Sequence, residues 1–107
     1  MPQYLLIMTQ TPDLGTAQTI SEALLNARVA ACVSIMPQVM SRYVWEGKLE
    51  AAEEWPLLIK TTQACYEELE QIIVSLHPYQ VPEIIALPIS QGLPAYLQWL
   101  TQSTQPQ

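Results

Sequence analysis

The residue types that could do chemistry are concentrated in one short connector. His77 is the only histidine in the chain, and it begins the segment HPYQVPE at 77–83. Imidazole is a common metal ligand and the usual general acid or base near neutral pH. Each proline fixes its own φ and moves the preceding residue towards extended geometry, so the segment is predicted to be stiff. The first candidate site therefore lies here, with His77, Tyr79 and Glu83 held at defined positions.

A metal site built on His77 would need further nitrogen, sulfur or oxygen donors. Cys32 and Glu83 are the donors that we assign to it, and copper or another divalent metal is the cofactor that it would hold. The alternative is a structural histidine that caps the preceding helix or forms a hydrogen bond across a subunit boundary. We favour the structural interpretation for His77. We also favour it for Cys32, which lies among small residues where a cysteine behaves as a small hydrophobe.

A second group of residues combines aromatic rings with charges and could line a ligand cleft or a subunit interface. Its members are Tyr43, Trp45, Glu46, Lys60, Tyr79, Glu83 and Trp99. Aromatic side chains are enriched at interfaces, which favours the interface. Lys60 lies near the end of an apolar strand pattern and would need a carboxylate, which Glu83 or Glu46 of this or another chain could supply. Such a pair would either hold subunits together or receive an anionic ligand.

Residues for conventional catalysis are not found in recognisable combinations. The chain has one histidine, one aspartate (Asp13) and no glycine-rich phosphate loop. Neither a nucleophilic triad nor a nucleotide cradle can be assembled from these parts. The adjacent acids Glu53 and Glu54 are expected to be solvated and to point apart. We therefore predict no catalytic residue and no enzymatic activity.

Charge and hydropathy exclude several classes of partner. Four basic residues stand against ten acidic ones, for a net charge of -6. No basic cluster is present to neutralise phosphates, so nucleic acid is not an expected partner. The aliphatic run near the N-terminus spans only residues 5–8, which is too short for a signal sequence or a membrane span. We expect a cytoplasmic protein with no membrane partner, in which Cys32 and Cys65 are free thiols.

The length of the chain suits one domain. With 107 residues, half of them apolar, a single core over 1–107 is expected, followed by a flexible polar tail over about 102–107. Charged residues make up only 13% of the chain, which is sparse for the surface of a monomer. We infer that other subunits cover part of the surface.

The apolar pattern alternates between strand and helix along this domain. Apolar runs and period-two alternation predict strands over 3–9, 28–45, 48–61 and 84–89. Repeats of three and four predict helices after TPD at 11–13, over 62–76 and from Pro94. Glu46-Gly47 is a hairpin signal. Since Pro37 and Pro56 lie at equal distances on either side of it, the hairpin is expected to project beyond the sheet and to change its pairing midway.

This order of elements predicts an α+β fold of the ferredoxin-like, split βαβ type: βαββαβ plus a C-terminal helix. Right-handed crossovers would place both long helices on one face of an antiparallel sheet. The runs at 5–8 and 84–87 are apolar at both parities, so the other face is apolar too. A second subunit is expected to cover it.

Several motifs occur in order along the chain: TPD at 11–13, AAC at 30–32, YVWEGKLE at 43–50, LIKT at 58–61, HPYQVPE at 77–83 and YLQWL at 96–100. Together they resemble one known family, the CutA family of divalent-cation tolerance proteins. The resemblance covers nearly the whole chain. It implies a ferredoxin-like fold in an intertwined homotrimer, with hairpin strands that reach onto neighbouring protomers, and an architecture similar to that of PII-type signalling proteins.

The resemblance also bears on metal binding. Family members credited with copper binding present a cysteine at the end of the first strand and two adjacent histidines before the Pro-Tyr pair. This chain has Thr9, Leu76 and His77 at those positions. Of the three, only His77 is a good copper ligand, because a threonine hydroxyl is a poor ligand for such metals and leucine is none.

Three hypotheses for function follow. The leading one is a non-enzymatic, cytoplasmic homotrimer that acts as a sensor or scaffold linked to the metal-ion response, with an unknown small ligand or protein partner. The second is direct binding of copper or another divalent metal at His77. The third is a small-molecule sensor that uses a cleft between subunits, as PII-type proteins do.

Overall fold

The chain folds into the alternating order of strands and helices that its sequence predicts. A computed structural model describes residues 3–105. The strands are β1 (Tyr4–Thr11), β2 (Cys32–Ile35), β3 (Val39–Trp45), β4 (Lys48–Thr62) and β5 (Ile84–Ile89). The helices are α1 (Leu14–Asn26), α2 (Tyr66–Leu76), which follows a 3-10 turn at Gln63–Cys65, and α3 (Pro94–Ser103). Within residues 3–105, no helix has the length and apolarity needed to cross a membrane.

Four of the strands form an antiparallel sheet in the order β2-β4-β1-β5. The fifth strand, β3, pairs with the first half of β4 and extends the sheet as a hairpin arm. Helices α1 and α2 pack against each other and against the sheet. This order of elements and strands confirms the predicted α+β, ferredoxin-like arrangement.

The core lies between one face of the sheet and the two long helices. Its fully buried side chains include Ile7, Leu57 and Ile59 from the sheet, Ile20 and Leu24 from α1, and Leu69 and Ile73 from α2. The cap predicted within TPD is Asp13, whose Oδ1 accepts a hydrogen bond from the Thr16 N–H at 2.7 Å, whereas Pro12 lies before the helix and not in its first turn. A side-chain acceptor at this position satisfies one of the unpaired donors of a helix N-terminus.

The start of the strand that leads into the hairpin differs from its prediction, whereas the change of pairing along β4 agrees with it. Arg28 has a φ of 60°, a left-handed conformation that strands do not adopt, so β2 begins only at Cys32 and not at 28. The interruption near Pro37 separates β2 from β3, as expected. In β4, Glu54 still pairs with β3 whereas Trp55 already pairs with β1. The predicted change of pairing midway along this strand is confirmed.

The sheet face away from α1 and α2, called here the open face, is apolar as predicted. Leu6 pairs with Leu87 and Met8 pairs with Ile85 across β1 and β5. Ile85 is 48% exposed and Leu87 is 41% exposed. The third helix, α3, packs over one end of this face, where the Tyr4 and Thr101 hydroxyls are hydrogen-bonded at 2.7 Å. The rest of the open face has no covering element among the described residues.

The C-terminal segment is held more firmly than the predicted flexible tail. Helix α3 continues to Ser103, and the buried Thr104 hydroxyl donates to the Leu100 carbonyl at 3.0 Å. The Gln105 N–H then donates to the Arg28 carbonyl at 2.8 Å. These contacts, which join the end of the chain to the end of α1, keep residues 102–105 in place. Residues 106 and 107 of the predicted tail lie outside the described residues.

Candidate functional site

The His77 side chain is held by the backbone on both sides of its ring. The residue ends α2, where its N–H donates to the Ile73 carbonyl at 2.9 Å, and it is only 8% exposed. Nε2 lies 2.6 Å from the Gln10 carbonyl oxygen, and Nδ1 accepts a hydrogen bond from the Tyr79 N–H at 3.1 Å. Since a carbonyl only accepts and an amide N–H only donates, the ring is the neutral tautomer protonated at Nε2. No ring nitrogen is left for a metal unless one of these bonds breaks.

The remaining donors do not gather around His77 in a single chain. Cys32 lies across the sheet from Lys60, and Lys60 lies across from Leu6 in β1. His77 contacts β1 at Gln10. Leu6 and Gln10 are four residues apart, so the level of Cys32 and the level of His77 are separated by about 13 Å along β1. Glu83 is exposed and makes no hydrogen bond or ion pair with His77 in the described part of the chain. Across residues 3–105, no cluster of three or more His, Cys, Asp or Glu side chains is arranged to hold a metal.

The two other positions suggested by the family resemblance also fit copper poorly. Thr9 is fully buried, and its hydroxyl has no hydrogen-bond partner among the described residues. Leu76, at the end of α2, is 39% exposed and carries no donor atom. A hydroxyl and an alkyl group are not ligands that copper prefers. The residues present in one chain therefore do not match a copper site.

Tyr79 and Glu54 form a partly buried polar pair beside His77. The Tyr79 hydroxyl donates to Glu54 Oε2 at 2.9 Å, and the Tyr79 and His77 rings lie 4.7 Å apart between centroids. Burial and the hydrogen bond to Glu54 raise the pKa of Tyr79 to about 12, and the nearby Tyr43 and Asp13 add to this shift. The hydroxyl therefore stays protonated at neutral pH in an environment of negative charge.

The burial of Glu54 corrects the expectation that Glu53 and Glu54 are both solvated. Glu53 is exposed, but Glu54 is only 5% exposed. Successive residues of a strand face opposite sides, and this places Glu54 on the same side of β4 as Pro56 and Leu58. This alternation in the sequence could have indicated that Glu53 and Glu54 have different environments. The hydrogen bond between His77 and the Gln10 carbonyl could not be predicted in this way, because the carbonyl is a backbone group that every residue has.

Part of the predicted aromatic group comes together around Tyr79. Trp45, Pro78, Tyr79, Gln80 and Val81 line a cavity of about 350 Å³ between the hairpin arm and the connector. Tyr43 lies close enough to act electrostatically on the Tyr79 hydroxyl. Glu46 follows Trp45 in the hairpin turn, with a φ of 51°. Tyr43, Trp45, Glu46 and Tyr79 thus share one end of the molecule.

Lys60 and Trp99 lie elsewhere, towards the end of the sheet that α3 covers. Lys60 is half-buried on the open face between Cys32 and Leu6. It has no ion pair among residues 3–105, so the predicted pairing with Glu83 or Glu46 does not occur within one chain. Trp99 packs against Tyr96 with 5.5 Å between ring centroids. Burial first, and then the neighbouring Cys32, raise the pKa of Tyr96.

Comparison with known proteins points to one family throughout. The model of the CutA1 divalent ion tolerance protein family matches residues 5–103. A divalent-cation tolerance protein CutA of Thermus thermophilus is 43% identical over 92% of this chain and 95% of its own length. The solved structure of a Thermus thermophilus divalent cation tolerance protein, 41% identical, superposes with a TM-score of 0.93 over 95% of this chain and 99% of the other.

A third similar protein is described as the periplasmic divalent cation tolerance protein CutA of Archaeoglobus fulgidus. Its structure is 34% identical in sequence and superposes with a TM-score of 0.92 over 95% of this chain and 99% of the other. The similarity of all three extends over nearly the full chain, hairpin arm and connector included.

Proposed function

This chain belongs to the family of CutA1 divalent ion tolerance proteins, and from that premise we propose that it is a non-enzymatic homotrimer that acts as a sensor or scaffold in the metal-ion response. In this proposal the protein does not carry the metal itself. Its connection with metal tolerance is indirect and runs through a small ligand or a protein partner.

The observation that carries the proposal is the environment of the His77 ring. Nε2 is committed to the Gln10 carbonyl and Nδ1 to the Tyr79 N–H. A copper ion at either nitrogen would leave a partly buried backbone group without its partner, which costs at most about 1–3 kcal/mol, the value for a fully buried group. The competing hypothesis, direct copper binding, would have to overcome this cost with a single good ligand per chain. The proposal therefore treats His77 as a structural residue.

Equilibrium dialysis of the full-length protein against copper(II) tests this assignment. We expect weak binding that is unchanged in His77→Ala, in Cys32→Ser and in Glu83→Gln. Micromolar or tighter binding that is lost in His77→Ala, whether or not Cys32→Ser and Glu83→Gln also lose it, would overturn the proposal in favour of a copper site. Circular dichroism on each variant checks that the fold is retained.

The homotrimer is supported by the open face. Leu6, Met8, Ile85 and Leu87 form a continuous apolar surface there, of the kind that marks a protein interface. Lys60 lies half-buried beside it without a carboxylate partner in the described residues. In the trimer we expect a carboxylate of a neighbouring protomer to pair with Lys60, since a cation that becomes fully buried needs a partner.

A second candidate function is the sensing of a small molecule, and the cavity between Trp45 and Tyr79 favours it. Ligand sites are typically concave, largely apolar and lined by aromatic rings with a few polar groups. In this version the cavity or a neighbouring cleft receives the signal and the trimer transmits it. A ligand that raises the melting temperature of the protein, but not that of Tyr79→Ala, would support it.

The proposal also places the protein in the cytoplasm. Cys32 and Cys65 are both unpaired, which suits a reducing compartment. Cell fractionation with compartment markers, combined with alkylation of the two thiols before lysis, tests this placement. Recovery of the protein with periplasmic markers would contradict it.

A further inference from the structure

The cavity between the hairpin arm and the connector is mainly aromatic and apolar. Trp45, Pro78, Tyr79, Gln80 and Val81 line it, and its volume is about 350 Å³. We refer to it as the Trp45 cavity. None of these five residues carries a charge, and their polar side-chain groups are the Gln80 amide, the Tyr79 hydroxyl and the Trp45 indole N–H. The hydroxyl is already committed to Glu54.

Two carboxylates, those of Glu54 and Asp13, lie near the Tyr79 hydroxyl of the Trp45 cavity. Glu54 is 5% exposed, and its side chain has only the Tyr79 hydroxyl as partner among residues 3–105. Asp13 acts on the same hydroxyl from the start of α1. Lys48 is the cross-strand neighbour of Trp45, but it is exposed and does not line the cavity. A nearly buried carboxylate without a cation favours a positive charge nearby.

We propose that the Trp45 cavity binds a small quaternary ammonium ion. A cation is attracted to the face of an aromatic ring, most strongly to that of tryptophan, and the Glu54 carboxylate behind Tyr79 adds a second attraction. The lining side chains offer only the Gln80 amide oxygen and the Tyr79 hydroxyl as hydrogen-bond acceptors, so a primary ammonium would replace little of its hydration there. A quaternary ammonium has no N–H to satisfy and presents methyl groups to the apolar wall. The cavity therefore selects for charge combined with an apolar surface.

The anionic ligand expected at Lys60 remains a separate prediction, for a cleft between subunits. Lys60 lies on the open face, with Cys32 and Leu6 as its neighbours across the sheet. The Trp45 cavity is formed within a single chain.

Titration of the ¹⁵N-labelled full-length protein with tetramethylammonium chloride tests the proposal, with the indole N–H resonance of Trp45 as the readout. Sodium chloride at the same ionic strength is the salt control, and tert-butanol is a neutral molecule of similar size and shape. We expect a saturable shift with tetramethylammonium and binding of tert-butanol that is at least about tenfold weaker. Equal binding of the two molecules, or no saturation by tetramethylammonium, would overturn the proposal.

Matched variants separate the cavity from the rest of the surface. Val81 is 66% exposed and lines the cavity, whereas Val44 is 68% exposed and does not. We expect Val81→Lys to abolish binding by placing a cation in the cavity wall, and Val44→Lys to leave it unchanged. Binding that survives in Val81→Lys, or that is lost equally in both, contradicts the assignment.

A second pair of variants tests the two attractive groups. Trp45 and Trp99 are 43% and 44% exposed, so Trp99→Ala is the control for Trp45→Ala. We expect Trp45→Ala to lose binding, Trp99→Ala to keep it, and Glu54→Gln, which retains the shape of the side chain, to weaken it. Trp45→Ala lacks the indole N–H, so its binding of tetramethylammonium is measured by isothermal titration calorimetry. Unchanged affinity in both Trp45→Ala and Glu54→Gln would refute the proposal.

Discussion

At the scale of single residues, two side chains in the connector depend on groups far away in sequence. His77 is bound to the Gln10 carbonyl, 67 residues earlier, and Tyr79 to the Glu54 carboxylate, 25 residues earlier. The two prolines stiffen the connector, but these long-range bonds decide how its rings are oriented. Both side chains therefore join the end of α2 to the strands beside it. These hydrogen bonds require a neutral His77 ring and a protonated Tyr79 hydroxyl.

Tyr79 should make the protein sensitive to alkaline pH. Burial and Glu54 raise its pKa from the usual 10.0 to about 12, and the hydrogen bond to Glu70 with burial raises that of Tyr66 to about 12. The unfolded chain loses these protons near pH 10 while the folded chain keeps them. The stabilisation is therefore complete below pH 10 and is lost as the pH rises towards 12.

Guanidinium unfolding between pH 9 and about pH 12, at fixed protein concentration, checks this prediction. We expect Tyr79→Phe and Tyr66→Phe each to flatten the decline of unfolding free energy with pH, and the double variant to flatten it further. The tyrosine in each case is replaced by a ring that cannot ionise. An unchanged slope in the double variant would show that other groups control alkaline unfolding.

At the scale of elements, β4 is the strand that connects the two parts of the fold. Its first half pairs with β3 in the hairpin arm, and its second half lies between β1 and β2 in the sheet. The turn that joins β3 to β4 has positive φ at both central residues, 51° at Glu46 and 80° at Gly47. This is the turn class whose twist matches that of the strands it connects.

The turn should respond in opposite directions to two substitutions. Gly47→Ala is expected to lower the free energy of unfolding by about 1 kcal/mol, because a side chain disfavours positive φ. No heavy atom lies within 4 Å of the position that a Cβ would occupy at Gly47, so the cost is in the backbone and not in a clash. Glu46→Asn is expected to raise the free energy by about 0.5 kcal/mol, because asparagine tolerates this conformation better.

Chemical unfolding of the two variants beside the parent protein measures both effects. The oligomeric state of each variant is checked first, since the turn lies at the end of the hairpin arm. A neutral Gly47→Ala substitution would mean that the turn adopts another conformation in solution.

At the scale of the whole molecule, the distribution of surfaces is asymmetric. The face of the sheet that packs on α1 and α2 forms the core, while the open face carries Ile85 and Leu87 at 48% and 41% exposure. The chain is strongly acidic, with a net charge of -6, yet apolar residues dominate the open face. An apolar surface within an acidic molecule is the arrangement expected for self-association.

A charge on the open face should therefore break the assembly. We expect the parent protein to scatter light as a particle of about three times the 12.0 kDa chain mass, and Ile85→Glu to lower this mass towards that of one chain. Val74→Glu is the matched control, because Val74 is 54% exposed on α2, on the opposite side of the sheet. A parent protein that is monomeric at micromolar concentration would refute the trimer, and equal effects of the two substitutions would refute the choice of face.

The sequence alone determined the order of elements, a helix cap within TPD at 11–13, the hairpin turn at Glu46-Gly47 and the apolar character of both sheet faces. These features are encoded locally, in caps, turn residues and periodicity. It also indicated Trp45 and Tyr79 as members of one site, which the cavity between them agrees with.

Only the tertiary structure decided which groups these residues meet. In the folded chain both ring nitrogens of His77 form hydrogen bonds with backbone groups, and the Glu54 carboxylate is buried and accepts a hydrogen bond from Tyr79. Lys60 lies beside Leu6 in the sheet and not beside Glu83. The tertiary structure also ties Gln105 to Arg28, where the polar composition had predicted a flexible tail. Composition and periodicity report how a segment folds, but a hydrogen bond between distant segments depends on how the whole chain packs, and no local pattern encodes that.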